Sequence, residues 1–214
     1  MSVVRIHSSM SVEGRIEAFP PEVVKVEPMF FSCDSEFACN HGGPITKAFF
    51  DALPQDWKDS DVVFDSRVHM LMRGWYPCIP GWHLDDVPRT RPDGQPDHEN
   101  PEYESEHILC LVGDCSKTMF ALGECELTQE DGQVVYGEWH PQIEGLLGRE
   151  QLVPYVVSPL DLVRFNWQTF HKGTPATKDG WRWFGRITRN TKRKVFNEIR
   201  RQTQVYLEAP NAGW

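Results

Sequence analysis

Seven short runs of β-branched and aromatic residues, each closed by turn formers, constrain this chain more than any other feature of it. The runs are Asp61–Arg73, Ile108–Val112, Thr118–Leu127, Gln133–Tyr136, Gln151–Val157, Asp161–Trp167 and Trp181–Arg189. Between them lie Pro80-Gly81, Gly113-Asp114, Asp131-Gly132, Ser158-Pro159 and Asp179-Gly180, positions at which an extended chain turns back. One helix is legible. Pro44 suits a first helical position, Ile45, Ala48, Phe49, Ala52 and Leu53 recur at helical spacing, and Pro54 ends the run. Many short strands beside one or two helices predict a mainly β fold with flanking helices. A β-sandwich or barrel meets this description, and a double-sheet jelly roll satisfies it.

No repeat or linker divides the 214 residues, so one domain is expected. Its core would span about 61–189, with N-terminal strands and a packing helix in 1–60 and a basic C-terminal extension in 190–214. The 40% apolar and 25% charged residues place the chain among folded proteins rather than disordered ones. No apolar run is long enough to span a membrane, and Arg5, His7, Glu13 and Arg15 interrupt the start, so a cytoplasmic location is expected. Six cysteines without a CxxC pair read as reduced thiols rather than as a disulfide framework. The segment Val87–Glu106, with four prolines and no period, reads as a long loop, either a substrate lid or a plain solvent loop.

The net charge of −9 is unevenly spread. Arg182 to Arg201 holds eight basic residues and one acid, which leaves 14 basic and 30 acidic residues elsewhere. An acidic body disfavours a grip on a phosphate backbone. The basic tail then either pairs with the protein's own acids or makes a local nucleic-acid contact, and the first is favoured.

Two short patterns carry chemistry. In Gly81-Trp82-His83-Leu84-Asp85-Asp86 an extended chain would point His83 and Asp85 the same way, and an imidazole nitrogen beside a carboxylate oxygen suits a first-row metal. The second pattern is more specific. The strand Asp161–Trp167 delivers His171, a turn-rich connection follows, and the chain returns as a strand bearing Arg182 and Arg186. Alternation sets Arg182, Phe184, Arg186 and Thr188 on one face and Trp183, Gly185 and Ile187 on the other. Two arginines on one buried face are costly unless a dianion lies opposite.

The order of HxD, distal His and following Arg, together with the stretch HKGTPATKDGWRWFGRIT, resembles the Fe(II)/2-oxoglutarate-dependent dioxygenase superfamily, in particular its taurine-dioxygenase and phytanoyl-hydroxylase-like branches. The resemblance runs from about Val62 to Thr188 and implies a double-stranded β-helix of the jelly-roll, cupin-like kind. It further implies that His83, Asp85 and His171 hold Fe(II) and that 2-oxoglutarate and O2 take the open positions. The cosubstrate would be decarboxylated to succinate and CO2 while a substrate C–H bond is hydroxylated. A guanidinium would bind its distal carboxylate. Arg182 and Arg186 compete for that part; the R-x-T pair favours Arg186 with Thr188, leaving Arg182 to face the substrate or the other end of the cosubstrate.

Around this centre Trp82, Arg73 and Thr118 are candidate substrate residues by position. Asp86 is expected to turn away from the metal, His107 and His140 to be surface or capping residues, and His69 to be a satisfied core histidine. A small-molecule or peptide substrate is expected, with a nucleobase-modifying oxygenase as the runner-up. A metal-binding jelly roll without oxygenase activity would give Arg182 and Arg186 no common task, and a zinc hydrolase would use the same three ligands plus water.

Overall fold

The computed structural model describes residues 2–130 and 134–207. Its strands are β1 (Ser2–Ser8), β2 (Met10–Arg15), β3 (Met29–Phe31), β4 (Val63–Leu71), β5 (Glu106–Val112), β6 (Thr118–Gln129), β7 (Val153–Val156), β8 (Asp161–Asn166), β9 (Phe170–Gly173), β10 (Gly180–Arg189) and β11 (Glu198–Arg200). Helices are short: α1 (Pro21–Val26), α2 (Ser35–His41), α3 (Pro44–Asp51), α4 (Gln55–Lys58) and α5 (Val135–Gly148). The fold is mainly β.

Two antiparallel sheets form the body. One runs β2-β8-β5-β10-β4; the other runs β1-β6-β7, with β9 also paired to β6. A two-stranded ribbon of β11 and β3 forms a separate sheet, and β3 lies against β4, with the Phe30 amide donating to the Ser66 hydroxyl at 3.0 Å. Alternation along each strand sorts the side chains between layers. On the five-stranded sheet Phe64, Val68, Ile108, Cys110, Leu162, Trp183 and Ile187 join Ile45, Phe49 and Trp57 of the helices in one core. Its other face turns Leu109, Leu111, Val163 and Phe165 towards Phe120 of β6. A third cluster packs Val135, Trp139 and Ile143 of α5 against Val4, Ile6, Leu127 and Phe170 of the second sheet. The order is therefore helices, sheet, sheet, helix.

Three expectations are corrected. The run Gln133–Tyr136 is not a strand: Gln133 lies outside the described residues, and Val135 and Tyr136 open α5. Val135, Trp139 and Ile143 recur every four residues and all are buried, a helical stripe that the turn signal at Asp131-Gly132 obscured. His140, expected in a loop before Pro141, sits inside that helix. His171, expected at the end of strand Asp161–Trp167, lies instead on β9 of the opposite sheet. The crossing is made at Asn166, whose Oδ1 accepts hydrogen bonds from the Gln168 amide at 3.0 Å and the Thr169 hydroxyl at 3.0 Å.

The expected helix is α3, and its start is held from a distance. Gly43 precedes it without a side-chain cap. The buried Glu27 carboxylate fills that role, accepting from the Ile45 amide at 3.2 Å, the Thr46 amide at 2.8 Å and the Thr46 hydroxyl at 2.6 Å. A Cβ at position 43 would run into that carboxylate, so glycine is required by close approach. All six cysteines are free thiols. Among the described residues no helix is long and apolar enough to cross a membrane. Residues 87–105 carry no helix or strand, as expected.

Candidate metal centre

An isolated antiparallel bridge brings the two motifs together. The His83 amide donates to the His171 carbonyl at 3.1 Å, and the reverse bond has the same length. The imidazoles stand with ring centroids 4.6 Å apart. Each ring then has its Nδ1 beside a carbonyl two residues upstream: Gly81 for His83 at 2.8 Å and Thr169 for His171 at 3.0 Å. A carbonyl can only accept, so each Nδ1 carries a proton, which leaves Nε2 as the ring atom able to ligate a metal. One donor atom from each of His83, Asp85 and His171 lies within 4.8 Å of the others. Nε2 of His171 is 3.0 Å from Oδ2 of Asp85, a contact in which a proton stands where a metal ion would. The donor set of two imidazoles and one carboxylate fits a first-row divalent ion.

The surrounding charges are ordered by burial. Burial would raise the Asp85 carboxyl, but Arg186, which forms an ion pair with it, and His171 hold it well below the usual carboxylate range. His83 is pushed down to about 4 by burial and then by His171. Asp86 takes a left-handed φ of 55° and turns towards Thr191 and Arg193, its carboxyl raised by burial. It does not join the cluster, as expected.

The triad opens onto an inner cavity of about 110 Å³ between the sheets. Arg182, Arg186, Thr118, Arg67 and His69 line it together with His83, Asp85 and His171. Arg182 is 3% exposed. Its Nε donates to the Ser116 carbonyl at 3.2 Å, and among the described residues it has no ion pair. Burial pushes it down to about 10. Arg186 behaves oppositely: burial lowers it, but Asp85 beside it leaves it raised. Among the described residues the Thr118 hydroxyl has no hydrogen-bond partner, and it lines the cavity.

Four residues sit elsewhere than expected. Thr188 is buried with its hydroxyl 2.9 Å from Nδ1 of His107, and it does not line the cavity. His107 is not a surface residue: it is 0% exposed, lies 3.3 Å from the Ser105 hydroxyl through Nε2, and is driven well below its ordinary range by burial and then by Arg186. Its place on β5 opposite Thr188 buries it between the sheets. Trp82 points away from its neighbour His83 into the α5 core, where Nε1 donates to Glu144 at 2.8 Å. Arg73 is exposed, past the end of β4.

A scan of protein-family models returns no match, and a search of curated proteins finds no relative. Among solved structures the chain is similar to an N-substituted L-amino acid dioxygenase from Burkholderia ambifaria AMMD, at 12% identity and a TM-score of 0.39 over 68% of this chain and 58% of that one. The same enzyme in complex with alpha-KG gives 14% identity and a TM-score of 0.37, with the same coverage. HygX from Streptomyces hygroscopicus, with iron bound, gives 11% and 0.34 over 90% of this chain and 83% of that one. The chain thus matches 58% of the length of the amino acid dioxygenase. Likenesses this slight decide neither fold nor activity, and the case rests on the residues.

Sequence reasoning passed over Arg67 and Cys78, which line the cavity. For Arg67 a signal existed: it alternates with His69 and Leu71 on one face of β4. For Cys78, in the irregular stretch before the HxD motif, there was none.

Proposed function

We propose that the protein is an Fe(II)- and 2-oxoglutarate-dependent oxygenase on a double-stranded β-helix, hydroxylating a C–H bond of a small-molecule or peptide substrate. The observation that carries this reading is the pairing of a two-histidine, one-carboxylate cluster with a buried, acid-free guanidinium across one cavity. A zinc hydrolase would use the cluster but would leave Arg182 without a task.

In this reading His83, Asp85 and His171 hold the iron, which with 2-oxoglutarate and O2 supplies the oxidising power. The carbonyls of Gly81 and Thr169 fix both imidazoles in the metal-binding tautomer. Arg182, rather than Arg186, binds the distal carboxylate of 2-oxoglutarate, with the Thr118 hydroxyl as a second donor. Arg186 is already committed to Asp85, and the Thr188 hydroxyl to His107. Arg186 therefore orients the carboxylate ligand. Phe120 and Phe165, with centroids 5.7 and 5.3 Å from His171, shield that ligand from water. The basic C-terminal residues engage the protein's own acids, with Lys192 on Glu102 and Arg193 on Asp65, both at 2.7 Å, which supports a small substrate over an oligonucleotide.

The test is anaerobic addition of 2-oxoglutarate to the Fe(II)-loaded protein. A weak visible charge-transfer band is expected, and its absence at saturating cosubstrate would refute the assignment.

A further inference from the structure

The inner cavity opens into an outer chamber of about 460 Å³, within the range of roughly 300–1,000 Å³ usual for small-molecule sites. Three segments build it. The irregular stretch before and after the HxD motif contributes Cys78, Ile79 and Leu84, the long loop contributes Arg89 and Gln95, and the C-terminal strap contributes Arg200, Gln204 and Tyr206. The strap is fastened over the outer edge of β4. Thr203 donates to the Val68 carbonyl at 3.2 Å, and Tyr206 and Tyr76 exchange backbone bonds of 2.8 and 3.0 Å.

The charge of this chamber is one-sided. Arg67, Arg89 and Arg200 line it, and Asp85 is its sole acid among the described residues. Asp85 is occupied by Arg186 and the metal cluster. Arg200 shares Asp65 with Arg193, at 3.7 and 2.7 Å. Arg89 donates to the Gly94 carbonyl at 2.8 Å and has no ion pair among the described residues. Arg67 is half-buried where the inner and outer spaces join, and it has neither an ion pair nor a side-chain hydrogen bond among the described residues. Cross-strand pairing seats it opposite Phe184, two register positions from Arg182 opposite His69 and therefore on the same face. Arg67 and Arg182 repel one another, and both act with burial to push His69 down to about 3. A half-buried cation held beside other cations, with no partner, is a costly arrangement in the empty protein.

We propose that the substrate is an acid, and that Arg67 binds its carboxylate or phosphate at the junction of the two chambers, with Arg89 and Arg200 at the rim. This rests on the oxygenase reading for the role of the bound molecule, since Arg182 is there spent on 2-oxoglutarate. Electrostatic balance points the same way. Fe(II) and 2-oxoglutarate sum to zero, as do Arg186 and Asp85, so Arg182 and the half-buried Arg67 leave the joined chambers net positive, with the exposed Arg89 adding to that sign at the rim. A guanidinium offers paired donors to either oxyanion. The acid would anchor the substrate with the remainder of the molecule reaching towards the triad.

The experiment uses a matched panel: N-acetyl amino acids, monocarboxylates and phosphate monoesters, each beside its amide or alcohol. Binding to the metal-free protein is followed by calorimetry and thermal shift, so that no turnover is needed. At least one acid is expected to bind about tenfold or more tightly than its neutral counterpart. Arg67→Ala and Arg67→Gln should each weaken that acid by about tenfold or more, while Arg182→Ala should leave it within about threefold. The glutamine variant keeps side-chain bulk on β4, so it reports on charge if the alanine variant folds poorly. The carboxylate and phosphate arms identify the oxyanion. Absence of any acid binding, equal binding of the neutral partners, or dependence on Arg182 instead of Arg67 would each overturn the proposal. Failure of the oxygenase reading shows separately, as a missing charge-transfer band in the wild-type protein whatever the acids do.

Discussion

Arg182 and Arg186 lie four residues apart on one strand face, yet their surroundings give them different work. Arg186 meets a carboxylate that is also a member of the metal cluster, so removing it leaves Asp85 buried without its counter-charge. Arg186→Ala is expected to weaken Fe(II) binding more than 2-oxoglutarate binding. Arg182→Ala is expected to do the reverse, raising the 2-oxoglutarate concentration for half-saturation of the visible band by about tenfold or more. The opposite ordering would return the cosubstrate to Arg186. His83→Ala, Asp85→Ala and His171→Ala are each expected to abolish Fe(II) binding with circular dichroism unchanged, since none of the three belongs to the apolar clusters that hold the sheets and helices. These pairings were not legible beforehand. Alternation placed Arg182, Phe184, Arg186 and Thr188 on one face, but which acid or hydroxyl each would meet depends on strands distant in sequence.

At the scale of elements, β10 holds the molecule together by touching both the helical layer and the cavity. On its helix-facing side Gly185 makes room for the ring of Trp183, which lies where a side chain at 185 would go. Trp183 is fully buried and cannot yield. Gly185→Ala should therefore destabilise the protein by about 1–3 kcal/mol, read as a lower urea midpoint. The start of α3 offers a second test. Glu27→Ala strands two helix-terminal amides and a buried hydroxyl, and a loss of about 2–3 kcal/mol is expected in the same assay. Both features escape sequence inspection. The glycine reads as an ordinary strand residue, and Glu27 lies 18 residues from the amide it caps. The helix itself was legible because its signal, Pro44 followed by apolar residues at helical spacing, is local. α5 was missed because four residues read in isolation favoured a strand, while its stripe needed twice that length to show.

For the whole molecule, buried neutral histidines set the response to acid. His69 and His98 are pushed down to about 3 and about 4, in each case chiefly by burial. An unfolded imidazole titrates near 6.5, so below that pH the unfolded chain binds more protons than the folded one. Stability should be full above about pH 6.5 and should fall as the pH drops towards 4. His98 packs at a tilt against Trp139 with centroids 4.7 Å apart, and neither ring nitrogen has a partner among the described residues. His98→Phe is expected to shrink the loss between pH 7 and pH 4 by roughly 2–3 kcal/mol, measured as the difference in unfolding free energy at the two pH values. An unchanged difference would show that His98 titrates normally in the fold.

The amino-acid order by itself determined what depends on near neighbours: which segments extend, which residues share a strand face, and that an imidazole and a carboxylate two positions apart are available to a metal. Tertiary structure decided how those pieces meet. His171 reaches Asp85 across 86 residues and Arg186 reaches it across 101, only because the chain leaves one sheet at Asn166 and enters the other. Side-chain alternation follows from the geometry of two successive peptide units. The choice of partner for a buried charge is a competition among groups from many strands, and that competition exists only once the sheets have closed on one another.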